Sequence, residues 1–302
     1  MGEGRELQGG EHEPRAHGAR VEPLTQSTLA RLRLGWSSRY DLAELSGILR
    51  EHPGLSLWIP ETGEYLIGGS WRHRGEVAGL LELSARANAI ALLDEFAEIA
   101  RDEGKQLAIA SEHHESRRRA FYDAAGYELL EDIVIYELAR GLPLAPGGAL
   151  QIEPVDVSGE TALAELIALD HAAFPWLWWN SHEEFENYGN SPGVELFLFR
   201  DQLGAAVAYI GITHFRDWGH LDRIAVAPGL QGLGYGREAL DWAVHFLSRV
   251  GARRIGLSTQ ARNTRSRQLY ERYGFRRAPV QDYALYGRWL VTPPEEFRAG
   301  RG

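Results

Sequence analysis

HLDRIAVAPGLQGLGYG, from His220 to Gly236, holds a strand, a glycine-rich loop and the start of a helix. The β-branched Ile224 and Val226, with Leu221 and Ala225 between them, predict a strand over Leu221–Val226. Ala227, Pro228 and Gly229 stop it, because proline fixes φ and lacks an N–H while glycine permits positive φ. Gln231 to Gly236 then reads QGLGYG, and Ala239, Leu240, Ala243, Val244 and Leu247 follow at helical spacing. Bare glycines at a helix N-terminus let backbone N–H groups approach a ligand, and the helix dipole adds partial positive charge. This is a cradle for a diphosphate.

The loop lacks the Gly-Lys-Ser/Thr ending of a P-loop, and Gly232, Gly234 and Gly236 alone are a weak dinucleotide fingerprint. A second block, NTRSRQLYERYGF from Asn263 to Phe275, lies downstream. In order and spacing the two blocks resemble the GCN5-related N-acetyltransferase (GNAT) superfamily. The resemblance implies that amides of Gln231, Gly232, Leu233, Gly234 and Gly236 hold the pyrophosphate of acetyl-CoA, the co-substrate. It implies a contact from Asn263, which can also cap the following helix. It further implies that backbone groups at Ile224 and Val226 bind the pantetheine arm and the acetyl carbonyl.

The chain has 302 residues, which suits two domains. There is no cysteine, hence no disulfide framework and no thiolate nucleophile. A formal charge of -10 argues against a nucleic-acid backbone as partner. No apolar run reaches the roughly 18 residues of a membrane span, and no signal core opens the chain, so a cytoplasmic protein is expected. The pairs His113/His114 and His12/His17 lack carboxylate or cysteine partners at ligand spacing, so no metal site is expected.

The two halves repeat. FYDAAGY around Tyr122 reads against LYERYGF around Tyr270, and one offset separates Tyr122 from Tyr270 and Gly126 from Gly274. The expected fold class is α/β: two GNAT-like domains, each a mixed, mostly antiparallel sheet flanked by helices. The divisions are a disordered tail at 1–20, a degenerate domain at 21–140, a Pro/Gly-rich linker at 141–149, a catalytic domain at 150–292 and a polar tail at 293–302. In the first copy the strand Val77–Leu83 runs into SARAN, Ser84 to Asn88, without glycine, so no CoA is expected there. First-half helices are expected at Leu24–Leu34, Ser38–Arg50, Asn88–Asp102 and Ser116–Ala125. Two copies can pair within one chain, which is compatible with a monomer.

Amine acetylation needs a proton taken from the ammonium and one given to the leaving thiolate. His220 and Asp222 are two apart, so both project from one strand face. Histidine titrates near neutrality and suits a base; their distances before Gln231 resemble the base positions of the superfamily, and Asp222 can alternatively bind the ammonium. Tyr270, a phenol neutral at pH 7, is the candidate acid, with a core role as the alternative. Phe174, Trp176, Trp178 and Trp179 either shape the acceptor pocket or cover the junction between halves. The expected reaction is acetyl transfer to a primary amine of a small molecule or peptide, by direct attack in a ternary complex. Alternatives are mycothiol synthase-like acetylation of an amino sugar conjugate and a CoA-binding or sensing protein without turnover.

Overall fold

A computed structural model describes residues 19–36, 38–113, 119–139, 148 and 150–299. His12, His17, His114, nearly all of the 1–20 tail, the start of the helix expected at Ser116 and most of the 141–149 linker lie outside the described residues.

In the first half the strands are β1 (Glu22–Pro23), β2 (Leu57–Trp58), β3 (Tyr65–Trp71), β4 (Arg74–Ser84), β5 (Leu107–His113) and β6 (Glu128–Ala139). The helices there are α1 (Gln26–Leu29), α2 (Leu42–Glu51), α3 (Ala89–Asp102) and α4 (Arg119–Ala124). The second half runs β7 (Gln151–Pro154), α5 (Glu160–Ala173), α6 (His182–Gly189), β8 (Val194–Arg200), β9 (Ala206–Phe215), β10 (Trp218–Val226) and α7 (Tyr235–Arg249). It ends with β11 (Arg254–Gln260), α8 (Thr264–Tyr273), β12 (Arg276–Arg277), β13 (Tyr283–Trp289) and α9 (Glu295–Ala299). The helix expected over Leu24–Leu34 is only the short α1. Leu24, Leu29 and Leu32 still bury in one cluster, so packing is satisfied without further helical turns. No helix among the described residues is long and apolar enough to cross a membrane.

Both halves use the same crossover. β4, α3 and β5 form one parallel unit, and β10, α7 and β11 form the other. Parallel neighbours need such a helical connection. The apolar stripe of α7, Ala239, Leu240, Ala243, Val244 and Leu247, is buried against the sheet, as its spacing dictates. The remaining pairings are antiparallel, and all strands join one sheet in the order β1-β2-β3-β4-β5-β13-β6-β11-β10-β9-β8-β7, with β12 beside β6.

That order interlocks the halves. β13, from the end of the chain, lies between β5 and β6 of the first half, with Leu285 opposite Ser111 on one side and Glu131 on the other. β6 pairs in turn with β11 of the second half, from Arg254 opposite Ala139 to Gln260 opposite Ile133. The spans 21–140 and 150–292 therefore share a continuous ladder at their junction.

Leu285 is fully buried in the cluster that β13 shares with Leu107, Ile109 and Trp176. Leu285→Asp should cost more than about 3 kcal/mol, the scale of an unpaired charge in a core. Hydrogen exchange should show β5 losing protection together with β13. Protection lost in β13 alone would mean the interlock does not couple the halves.

Candidate active site

The site begins where two strands part. β10 and β11 pair in parallel only from Trp218–Leu221 against Arg254–Leu257. Just beyond, the β9–β10 register shifts between Leu221 and Arg223, leaving Asp222 at a bulge. Bulges bend the strand that carries them. β11 meanwhile stays with β6 through Gln260. A gap opens between Ile224–Val226 and the end of β11. It leads into a cleft of about 860 Å³ lined by Ile224, Val226, Gly232, Gly234, Asn263 and Tyr270, among others. A smaller cavity of about 100 Å³ shares Ile224, Asn263 and Tyr270 and adds Asp222, Trp178, Arg72 and Tyr283.

The loop is shaped for an anion. Gly232 and Gly234 hold φ of +90° and +98°, and a Cβ on either would meet nothing within 4 Å. Conformation, rather than crowding, demands glycine there. Gly234 is the N-cap of α7, whose first N–H groups have no helical partner. Among the described residues, no chain acceptor takes the N–H of Gly232 or Gly234. Gln231 braces the loop, its side chain donating to the Val226 carbonyl at 3.2 Å and accepting from Arg265 at 2.5 Å. Arg237, paired with Asp241, Arg262, paired with Glu131, and Arg272 also line the cleft, placing guanidinium groups along it. These features fit a pyrophosphate. Asn263 both lines the cleft and caps α8, accepting from the Ser266 N–H at 3.1 Å.

The first half has a matching notch that its own side chains close. β4 and β5 also pair over only Val77–Leu80 against Leu107–Ala110. In front of α3, one carboxylate oxygen of Glu64 accepts the N–H of Arg86 at 2.6 Å and of Ala87 at 2.9 Å, and Glu64 also accepts from the Asn88 side chain. A carboxylate thus stands where a phosphate would. Burial works to raise the Glu64 pKa, but the Arg86 and Asn88 bonds outweigh it and hold it below the usual carboxylate range. Tyr122, the repeat partner of Tyr270, donates to Glu112 at 2.6 Å and stacks on Tyr286 with ring centroids 4.0 Å apart.

On β10, His220 Nδ1 and Asp222 Oδ1 are 2.6 Å apart. The other Asp222 oxygen accepts from Tyr188 at 2.5 Å and Thr213 at 2.7 Å. Asp222 lines the small cavity; His220 stacks on Trp218 behind it, with its side chain 21% exposed. Tyr188 is pushed far above an ordinary phenol by burial and by the Asp222 charge, so it stays a donor. Tyr270 is buried and lines both cavities; burial raises it to about 12, a bond with Ser266 acting the other way, so it is protonated at neutral pH.

The aromatic stretch divides. Phe174 and Trp178 line the small cavity. Trp176 instead packs on Trp289 and Phe297 at the junction, with the Arg74 guanidinium 4.1 Å above its ring. Trp179 stacks on His171 and donates to the Phe174 carbonyl at 2.8 Å. Sequence reading passed over what anchors this stretch: Arg223, buried on β10, binds Asp170, donates to Tyr209 at 2.8 Å and to the Trp178 carbonyl at 2.9 Å. A signal existed, since Arg223 alternates with Leu221 and Ala225 at inward positions, where a charge requires a partner.

Residues 163–275 match the acetyltransferase (GNAT) family. A mycothiol acetyltransferase of Propionibacterium freudenreichii subsp. shermanii is 26% identical over 81% of this chain and 87% of that protein. One from Beutenbergia cavernae is 41% identical over 69 residues, 23% of each chain. Among solved structures, a tandem GNAT protein from the clavulanic acid biosynthesis pathway covers 91% of this chain and 99% of its own at a TM-score of 0.59 and 14% identity. A GCN5-related N-acetyltransferase from Anabaena variabilis covers 90% and 73% at a TM-score of 0.61 and 12% identity. Residues 163–275 thus match a GNAT domain, and the chain as a whole shares the fold of a tandem GNAT protein.

Glu64→Gln should destabilise the protein at neutral pH by about 1–2 kcal/mol, the scale of a lost capping anion. The Glu64 pKa is lowered by folding, so its contribution is present above the unfolded carboxyl pKa. It is lost as pH falls through the folded value. Melting curves of wild type and variant should therefore converge in acid; a constant difference across pH would show that the carboxylate charge is not what holds those amides.

Proposed function

We propose that the chain transfers the acetyl group of acetyl-CoA to a primary amine by direct attack in a ternary complex. The observation that carries this reading is the contrast between two notches in one sheet. The second keeps an open, amide-lined cradle running to Asp222 and Tyr270, while the first is filled by Glu64 and Tyr122.

The amides at Gln231–Gly236, with the guanidinium groups along the cleft, hold the pyrophosphate. The edge of β10 that β11 leaves uncovered, at Ile224 and Val226, orients the arm and acetyl carbonyl, and Asn263 supports it from α8. Acetyl-CoA supplies an activated thioester: the amine nitrogen forms a C–N bond at its carbonyl carbon, and the C–S bond breaks. Asp222 faces the acceptor and His220 stands behind it, so the pair takes the amine proton and passes it outward. Tyr188 and Thr213 fix the Asp222 carboxylate for that task. Tyr270 gives its proton to the departing thiolate. Phe174 and Trp178 wall the acceptor; Trp176 and Trp179 act by holding that wall in place. The acetyl-transfer chemistry needs no residue as nucleophile.

A mycothiol-type acceptor is the second reading, favoured by the names of the two relatives. Free-thiol release with an amine panel that includes an amino sugar conjugate tests both. Gly234→Glu should abolish CoA binding and turnover, because it puts a charged side chain at positive φ in the cradle, and calorimetry on wild type should find one CoA per chain. Two equivalent sites, or no thiol release with any amine, would sink the proposal.

Tyr270→Phe should lower kcat by about 10²–10⁴, the usual range of general-acid help, with little change in acetyl-CoA affinity. Tyr122→Phe should leave kcat alone and lower the melting temperature, since the buried Glu112 loses a donor. Equal, small effects on kcat would make Tyr270 a packing residue.

A further inference from the structure

Arg72 belongs to the half with no cradle, yet it reaches the second half's site. It sits in the tight turn between β3 and β4, where Arg72 and His73 hold φ of +53° and +48°. Two successive non-glycine residues in the left-handed region are costly and persist only where the surroundings enforce them. Here the turn is held by its neighbours. Trp71 donates to the Leu177 carbonyl at 3.1 Å, and Arg74 donates to that of Trp176.

The result is a guanidinium in the small cavity, sharing it with Asp222, Tyr270 and Trp178. It lies over the Trp71 and Trp178 rings, 5.6 and 5.2 Å from their centroids, and donates to Asn180 Oδ1 at 2.6 Å. Its Nε is buried and has no acceptor. Among the described residues no carboxylate comes within ion-pair distance of it; Asp170, the nearby buried acid, is bound by Arg223. Burial first, and repulsion from Arg223 second, pull the Arg72 pKa down to about 10, against Glu184, Asp170 and Tyr283, so it stays charged at neutral pH. A buried cation short of its anion is costly unless something supplies that anion. The same cavity is lined by a carboxylate, Asp222, held by three hydrogen bonds.

We infer that the acceptor is an amine that also bears a carboxylate, an amino acid, with its amino end at Asp222 and its carboxylate on Arg72. The inference rests on the acetyl-transfer reading. A planar guanidinium with a free Nε and a carboxylate match in geometry, and such charged pairs are the strong hydrogen bonds. The first half, unable to hold a cofactor, then supplies acceptor specificity.

The test uses matched pairs, short α-, β- and γ-amino acids and their carboxamides, with the full-length protein loaded with CoA. Calorimetry should find at least one acid bound about 10- to 100-fold more tightly than its amide, the usual scale for a charge-assisted bond. Arg72→Met should bring that ratio near one while leaving CoA affinity unchanged, and Arg72→Lys should restore part of it. Thiol release from acetyl-CoA should follow the same ranking. The inference is overturned if no acid outbinds its amide by more than about threefold, or if Arg72→Met weakens acid and amide alike. It is also overturned if an aminophosphonate is preferred to the acid. Acids that bind through Arg72 without releasing thiol would leave this subsite standing and sink acetyl transfer instead.

Discussion

The site depends on a parallel ladder that stops early. Four residue pairs hold β10 to β11, and then the strands part. A backbone edge inside a protein must find partners, because an unmet N–H or C=O buried from water is costly. On its β11 side, β10 beyond Leu221 has no strand paired with it, while β9 stays paired on the other side. A ligand with its own amide groups is the natural occupant of such an edge, and the glycine loop places an anion site at its end. The bulge at Asp222 serves the same opening, turning the strand away from β11 just where its carboxylate faces the small cavity.

The first copy shows how such an opening is closed. Its ladder is equally short, so the divergence of strands belongs to the fold and not to ligand binding. What differs is who satisfies the exposed groups. Glu64 covers the amides before α3, and Tyr286, carried in by β13 from the far end of the chain, stacks on Tyr122. Each replacement is local and inexpensive to make: one carboxylate for a phosphate, one ring for a ligand. Closing the notch stabilises a half that would otherwise carry unpaired backbone.

Sequence revealed what is encoded locally. The strand–glycine–helix block, the Asn263 cap and the Tyr270–Gly274 ending each lie within a dozen or so residues and stand in the structure where the spacing put them. The His220–Asp222 pairing was legible from strand parity. What escaped depends on distant segments. Nothing near Tyr283 says that β13 pairs with His113 and Ile133, because a strand reads the same beside any partner. Nothing in the tryptophan cluster says that Trp178 lines a cavity while Trp176 packs on Trp289; that follows from the short turn they share. Arg72 sits in a hairpin turn with no motif of its own, and only folding carries it into the cavity that Asp222 lines.

The junction gives the first half a physical role in the second half's cavity. One wall of the small cavity, from Phe174 to Asn180, is built around a single 3-10 turn at Trp176–Trp178. It is held from the second half by Arg223, which binds Asp170 and the Trp178 carbonyl. From the first half, Trp71, Arg72 and Arg74 take the Leu177 carbonyl, the Asn180 side chain and the Trp176 carbonyl. Remove that hairpin and the Leu177 and Trp176 carbonyls lose these donors, while Asn180 keeps only the longer bond from Arg223, at 3.4 Å. A cleft lined by one half and a small cavity whose wall is clamped by the other need both halves in one chain. The interlocked strands β13 and β6 fix the two at one distance, so the fold itself shapes the small cavity.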